Sequence, residues 1–254
     1  MTIVSRDAVA LASTLVAALV LGSVAAVVRA DGPPGAESLD DGMAALRAGF
    51  DALALAPLQE AVRILRAHAD AADADGAVHY HLARAFEGIG LHHAVHGEQD
   101  EARRAFGDGI GAATIATERA PTTAAYHAEL GNLYGNLAAQ SGVIGKVRNG
   151  RLATAAFTRA LELDPRNATA HVGIGIGKLE TPRAFGGSTD AALAEFRAAQ
   201  QLDARCDEAW IWEGIALRRR GAVAEARRAF AKALEMNPRS NHAQRELAAL
   251  QEDF

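Results

Sequence analysis

Histidines at positions 79, 81, 92, 93 and 96 are the first residues of this chain whose type and spacing could do chemistry. On a helix, His92 and His96 share a face and would offer two imidazole ligands to zinc or copper. No third histidine or carboxylate at ligand spacing completes the set, and HExxH does not occur. A solvated histidine-rich turn is expected, with no metal site. A second cluster, Lys146, Arg148 and Arg151, flanks Asn149-Gly150. That dipeptide signals a turn feeding a helix, whose N-terminus would attract an anion. The phosphate-loop pattern G-x-x-x-x-G-K-[ST] is absent, so a basic solvated turn is expected there. There is no nucleophile elbow, no Ser-His-Asp order and no pair of carboxylates in a recognisable frame. The sequence therefore reads as non-enzymatic and without a cofactor. The single cysteine, Cys206, cannot form an intramolecular disulfide and reads as a small buried apolar residue.

The elements that must position any site begin after residue 30. Ala8–Val28 is a 21-residue run without charge, preceded by Arg6-Asp7 and followed by Arg29-Ala30. It reads either as a secretory signal cleaved at Ala30 or as a retained membrane anchor, being long enough to span a bilayer of about 30 Å. No cysteine lies near it for lipid attachment. Both readings place the remainder outside the cytoplasm, in the periplasm or tethered to the outer side of the cytoplasmic membrane. Residues 31–37 (DGPPGAE) form a linker. From residue 31 onward, 24 basic side chains face 30 acidic ones, a net charge of −6. That balance argues against a nucleic-acid partner, whose affinity would come from neutralised phosphates.

The stretch Cys206–Pro238 reads CDEAWIWEGIALRRRGAVAEARRAFAKALEMNP. With Asp207 as position 1, Trp210, Gly214, Gly221, Ala226, Phe230, Ala233 and Pro238 fall at 4, 8, 15, 20, 24, 27 and 32. This pattern resembles a tetratricopeptide repeat. Gly214 and Ala226 allow two helices to approach closely, and Trp210 and Phe230 fill the space beside them. Gly221 supplies the turn and Pro238 stops the second helix. The same ruler finds His171, Gly175, Ala192, Phe196 and Ala199 in a unit from Ala168. It finds His127, Gly131, Ala153, Phe157, Ala160 and Pro165 in a unit from Ala124, and Tyr80, Ala102 and Phe106 in a looser unit near Gly76. Ser38 and Asp41 resemble a capping box opening a degenerate first pair, with Pro57 in the first turn of its second helix. The expectation is an all-α solenoid of helical hairpins over 38–75, 76–121, 124–165, 168–204 and 207–240, closed by a helix over 241–252.

Two hairpins carry extra residues between their helices, five within Glu180–Asp190 and ten around Ser141–Arg151. Long connections of this kind carry binding or capping roles, or are drift in an exposed loop. The succession IGKVRNG, ALELDP, TPRAFGG and an Ala-x-x-x-Phe helix is similar to exported bacterial tetratricopeptide proteins. It looks like the helical T components associated with TRAP (substrate-binding-protein-dependent) transporters, over residues 76–236. The most specific element is the loop motif of Pro182, Phe185, Gly186 and Gly187. That resemblance implies an exported protein whose pore or groove handles a small ligand alongside a solute-binding protein.

The repeat resemblance also implies which side chains face a concave groove, those at positions 2, 5, 9, 12 and 13 of each first helix. Here they include His81, Asn132, Asn136, Val172, Ile176, Leu179, Ile211, Ile215, Arg218 and Arg219. An apolar groove ending in two arginines suits a peptide or an amphipathic carboxylate. The competing expectation is that the closing helix covers these aliphatics. A chaperone-type carboxylate clamp is excluded, because Asn132 stands at position 9 but Ala128 replaces the lysine at position 5. The expected function is a scaffold binding a protein or peptide partner. The alternative is a small-ligand accessory of a solute-binding-protein-dependent transporter.

Overall fold

Side-chain caps start several of the helices where the sequence places them. Ser38 accepts from the Asp41 backbone N–H at 3.2 Å, and Asp41 accepts in return from the Ser38 N–H at 2.8 Å. This capping box opens α1 (Leu39–Ala52). Asp75 accepts from the first-turn N–H groups of Ala77 and Val78 and opens α3 (Gly76–Val95). Asn167 opens α7 (Ala168–Glu180), and Ser188 opens α8 (Thr189–Leu202). Pro57 lies in the first turn of α2 (Leu55–Ala69), where its missing N–H costs nothing. The remaining helices are α4 (Gln99–Arg119), α5 (Ala124–Ala139), α6 (Val143–Leu163), α9 (Asp207–Arg219), α10 (Val223–Met236) and α11 (Asn241–Glu252). Among the described residues there is no strand. The computed structural model describes residues 37–71 and 74–252, so the expected leader or anchor at Ala8–Val28 lies outside them.

The chain divides into two compact units, the first ending at Leu152 and the second beginning at Ala153. In the first, each helix from α1 to α5 packs on its neighbour in sequence, and α3 also touches α1 and α5. Its core includes Leu58, Leu65, Leu82, Phe86, Phe106 and Leu133. In the second, α7 to α11 follow the same rule, and α9 also touches α7 and α11. Both units are thus successive helical hairpins in which alternate helices meet.

A glycine facing a phenyl ring recurs inside the hairpins. A Cβ on Gly90 would lie 2.4 Å from the Phe106 ring. One on Gly175 would lie 2.4 Å from Phe196, and one on Gly214 the same distance from Phe230. All three rings are fully buried, so none has room to retreat. The turn after α9 uses Gly221 at φ +84°, a conformation that a side chain would strain.

The extra residues at Ser141–Arg151 are not a loop. α6 runs unbroken from Val143 to Leu163, passing through Asn149-Gly150. The expected turn therefore becomes two further turns at the front of a helix, and the anion-attracting helix start expected after it does not exist. The flanking residues contain no proline, and Asn149 donates its side-chain amide to Ser141 Oγ at 3.3 Å, spending locally the group that favours a turn. The Glu180–Asp190 insertion is a true connection, a single 3-10 turn at Arg183–Phe185 between α7 and α8.

The glycine positions give a prediction with opposite signs. Gly214→Ala gains about 1 kcal/mol of helix propensity, yet overpacks an immobile ring at a cost of about 1–3 kcal/mol. A net loss in urea unfolding is expected. Gly107→Ala, exposed within α4 with nothing within 4 Å of its added Cβ, should stabilise by up to about 1 kcal/mol.

Candidate functional site

The Pro182–Gly187 motif folds into a turn fixed almost wholly by its own backbone. The Phe185 N–H donates to the Pro182 carbonyl at 2.8 Å, and the Gly186 N–H to Arg183 at 3.1 Å. The Gly187 N–H also reaches Pro182, at 3.2 Å, and the Ser188 N–H reaches back to Lys178 at 3.0 Å. Gly186 sits at φ +94°. A Cβ on Gly187 would lie 1.7 Å from the Thr181 carbonyl oxygen, so only glycine fits. The product of this construction is an exposed aromatic: Phe185 is 81% accessible. None of its packing holds the turn.

Two of the first unit's groove residues, Asn132 and Asn136, belong to a buried polar network. His81 lies on α3, and Asn132 and Asn136 lie on α5, both asparagines 5% exposed. Asn136 donates to Glu87 Oε1 at 3.1 Å. Glu87 is fully buried, and the Glu129 carboxyl hydrogen-bonds both Glu87 and Asn132. Two carboxyls can bond each other only if one carries the proton. Burial pushes Glu129 up to about 7, against the opposing pull of the Arg84 guanidinium and of the hydrogen bonds it accepts from Glu87 and Asn132. Arg84, itself buried, lies 4.9 Å above the Phe50 ring centroid. Tyr80 and Tyr126 stack at 5.0 Å. His81 Nδ1 is buried without a hydrogen-bond partner, and burial pushes this imidazole down to about 4.

In the second unit the expected groove is largely packed. Val172, Ile211 and Ile215 are 2%, 1% and 5% exposed. Ile176 is half-buried. The arginines are engaged by neighbouring first helices. Arg219 donates to the Leu179 carbonyl and pairs with Glu180 at the end of α7. Arg218 pairs with Glu246 of α11 at 2.8 Å. Beside that pair, Trp212 meets the buried His242 edge-on at 6.1 Å. The closing helix therefore does part of the covering of α9, through Glu246 and His242.

The histidine cluster is bound up in local structure. His92 Nδ1 bonds the Leu53 carbonyl at 2.8 Å, His96 Nδ1 bonds the His92 carbonyl at 2.7 Å, and His93 pairs with Glu98. Among the described residues no three His, Cys, Asp or Glu side chains are placed to hold a metal ion. Cys206 is buried and its thiol is pushed up to about 12 by that burial, which leaves it inert. Sequence reasoning passed over Arg84, Glu87 and Glu129. The signal was present: a charged pair three apart in α3, with Glu129, Asn132 and Asn136 at helical spacing on α5.

The burial of the Glu129 carboxyl has a measurable consequence. Below about pH 4.5 Glu129 is neutral folded or unfolded and contributes nothing. Between there and about pH 7 the unfolded chain releases the proton while the folded chain keeps it, so folding loses stability as pH rises. Glu129→Gln replaces the titrating carboxyl with a neutral amide. Its stability should exceed that of the parent by about 2–3 kcal/mol at about pH 8, with the difference vanishing near about pH 4. Urea midpoints measured across this range check both the sign and the window.

With this geometry in place, comparison with known proteins is direct. Residues 207–240 match the tetratricopeptide repeat family model. No curated protein matches the chain. The crystal structure of a thermophilic TPR protein from Thermus thermophilus superposes with a TM-score of 0.61 at 21% identity, covering 83% of this chain and 99% of that one. The crystal structure of MamA gives a TM-score of 0.47 at 18% identity, over 72% of this chain and 90% of that one. The first of these fixes the architecture. Residues 207–240 are a tetratricopeptide repeat, and the chain carries the helical-hairpin fold of tetratricopeptide repeat proteins.

Proposed function

We propose that this chain is a non-enzymatic scaffold that holds a protein or peptide partner, with Phe185 as an anchor of the contact. The observation that carries the reading is the fixed turn that displays this ring. A phenyl group buried elsewhere in the fold would contribute about 1.5–3 kcal/mol. Here that gain is forgone, while two glycines and four backbone hydrogen bonds hold the ring in water. Rigid exposed aromatics are the side chains that dominate protein interfaces, because little freedom remains to be lost on docking. Stacked hairpins are suited to the same task, since they present side chains from several elements. No chemistry is required of the scaffold, and the polar network on α3 and α5 serves by setting the shape of the inner face.

The second reading, a small-ligand accessory of a TRAP-type transporter working beside a solute-binding protein, is favoured by the likeness of the Pro182–Gly187 motif. The packing of Val172, Ile211 and Ile215 weighs against an apolar ligand seated on them. In either case we place the chain outside the cytoplasm, periplasmic or anchored through Ala8–Val28, on the strength of that apolar run.

A tagged chain used to capture envelope proteins tests the leading reading. Phe185→Ala should leave the melting curve unchanged while weakening the captured partner at least tenfold, the effect of losing a hot-spot aromatic. Gly187→Ala, which breaks the turn itself, should match that loss. Undiminished capture by Phe185→Ala would remove the anchor, and a ligand-dependent change in Trp210 or Trp212 fluorescence would favour the transporter reading.

A further inference from the structure

The front of α6 carries a face that helices of soluble proteins rarely show. Val143, Ile144 and Val147 are 83%, 87% and 54% exposed. At about 100° per residue these three fall within one arc of about 100°. Lys146 lies on one flank of that arc and Arg148 on the other, with Arg151 one turn further along, and all three are exposed. The opposite side of the same turns carries the half-buried Gly145 and Asn149, the latter bonded to Ser141. The aliphatics thus point where a solvated helix places polar groups.

We propose that this segment, Val143 to Arg151, docks on an anionic lipid surface, with the three aliphatics entering the acyl boundary and the arginines meeting headgroup phosphates. Charge selects this occupant. No aspartate or glutamate occurs anywhere from Leu130 to Leu161, in a chain whose net charge is otherwise negative. Basic side chains on both borders of an apolar arc are the arrangement of interfacial helices, in which long cationic stems reach past the apolar layer to the headgroups. A second copy of the chain suits the face poorly, because a two-fold contact would set one basic, acid-free segment against another. The inference does not rest on the Phe185 reading, nor on whether the Ala8–Val28 run is retained.

A local probe on the full chain separates this contact from any tether elsewhere. Ile144→Cys takes an environment-sensitive fluorophore at an exposed position, while the buried Cys206 thiol stays unlabelled. With phosphatidylcholine–phosphatidylglycerol vesicles, its emission should shift to the blue and be quenched by lipids bearing a quencher in the upper acyl chain. The same label at exposed Arg227→Cys should not respond. Arg148→Gln with Arg151→Gln should weaken the response roughly 30-fold, at about fivefold per cation near an anionic surface. Val143→Ser with Val147→Ser should weaken it by roughly tenfold or more. Three outcomes overturn the proposal: a probe that stays solvent-like with anionic vesicles, an equal response to pure phosphatidylcholine, or a blue shift obtained only on adding an envelope protein.

Discussion

The close approach of paired helices at a glycine is the constraint on which the rest of the fold depends. At Gly90, Gly175 and Gly214 a phenyl ring from the following helix lies where a Cβ would otherwise sit. The ring gains full burial, and the backbone comes near enough for the small residues around it, such as Ala102, Ala192 and Ala226, to close the remaining space. Because the contact is between a side chain and a bare backbone, it fixes the separation of the pair to within a fraction of an ångström. Every other position on the hairpin follows from that spacing. A further example joins successive hairpins: a Cβ on Gly173 of α7 would lie 2.3 Å from the Phe157 ring of α6.

Polar groups then fix how neighbouring hairpins stack. Within the first unit, Asn136 and Glu129 of α5 reach Glu87 of α3. Within the second, Arg219 of α9 reaches back to α7 while Arg218 reaches forward to α11. Apolar packing tolerates small slips between helices, whereas a buried carboxyl or guanidinium with a missing partner does not. These contacts use the charged side chains that a groove would otherwise offer to a ligand. They define register at some cost in stability, which the elevated Glu129 proton affinity makes explicit.

Much of this was legible in the residues. Small residues and phenylalanines at the repeat spacing identified the hairpins, because the steric demand at a helix crossing is local and admits few solutions. Pro57, Ser38 and Gly221 marked boundaries for equally local reasons. Asn149-Gly150 misled, since turn propensity is a weak preference that a continuing helix overrides once the asparagine amide is occupied by Ser141. Groove positions were harder still. Ile211 and Ile215 occupy the places that the repeat pattern assigns to a concave face, yet they are buried. Repeat position gives the direction of a side chain, and it says nothing of what stands in front of it.

The two insertions differ in form and agree in effect. One is a turn whose glycines and carbonyls are satisfied internally, and the other is a helix front whose Asn149 is bonded inward. Each displays exposed apolar side chains, Phe185 in the first and Val143, Ile144 and Val147 in the second. Scattered exposed aliphatics are ordinary on protein surfaces, but a cluster on a rigid element is not. Drift in an unconstrained loop would be expected to soften the backbone before it produced such display. Here only the displayed atoms lack a role inside the fold, and both contacts proposed above are drawn from these additions to the plain repeat.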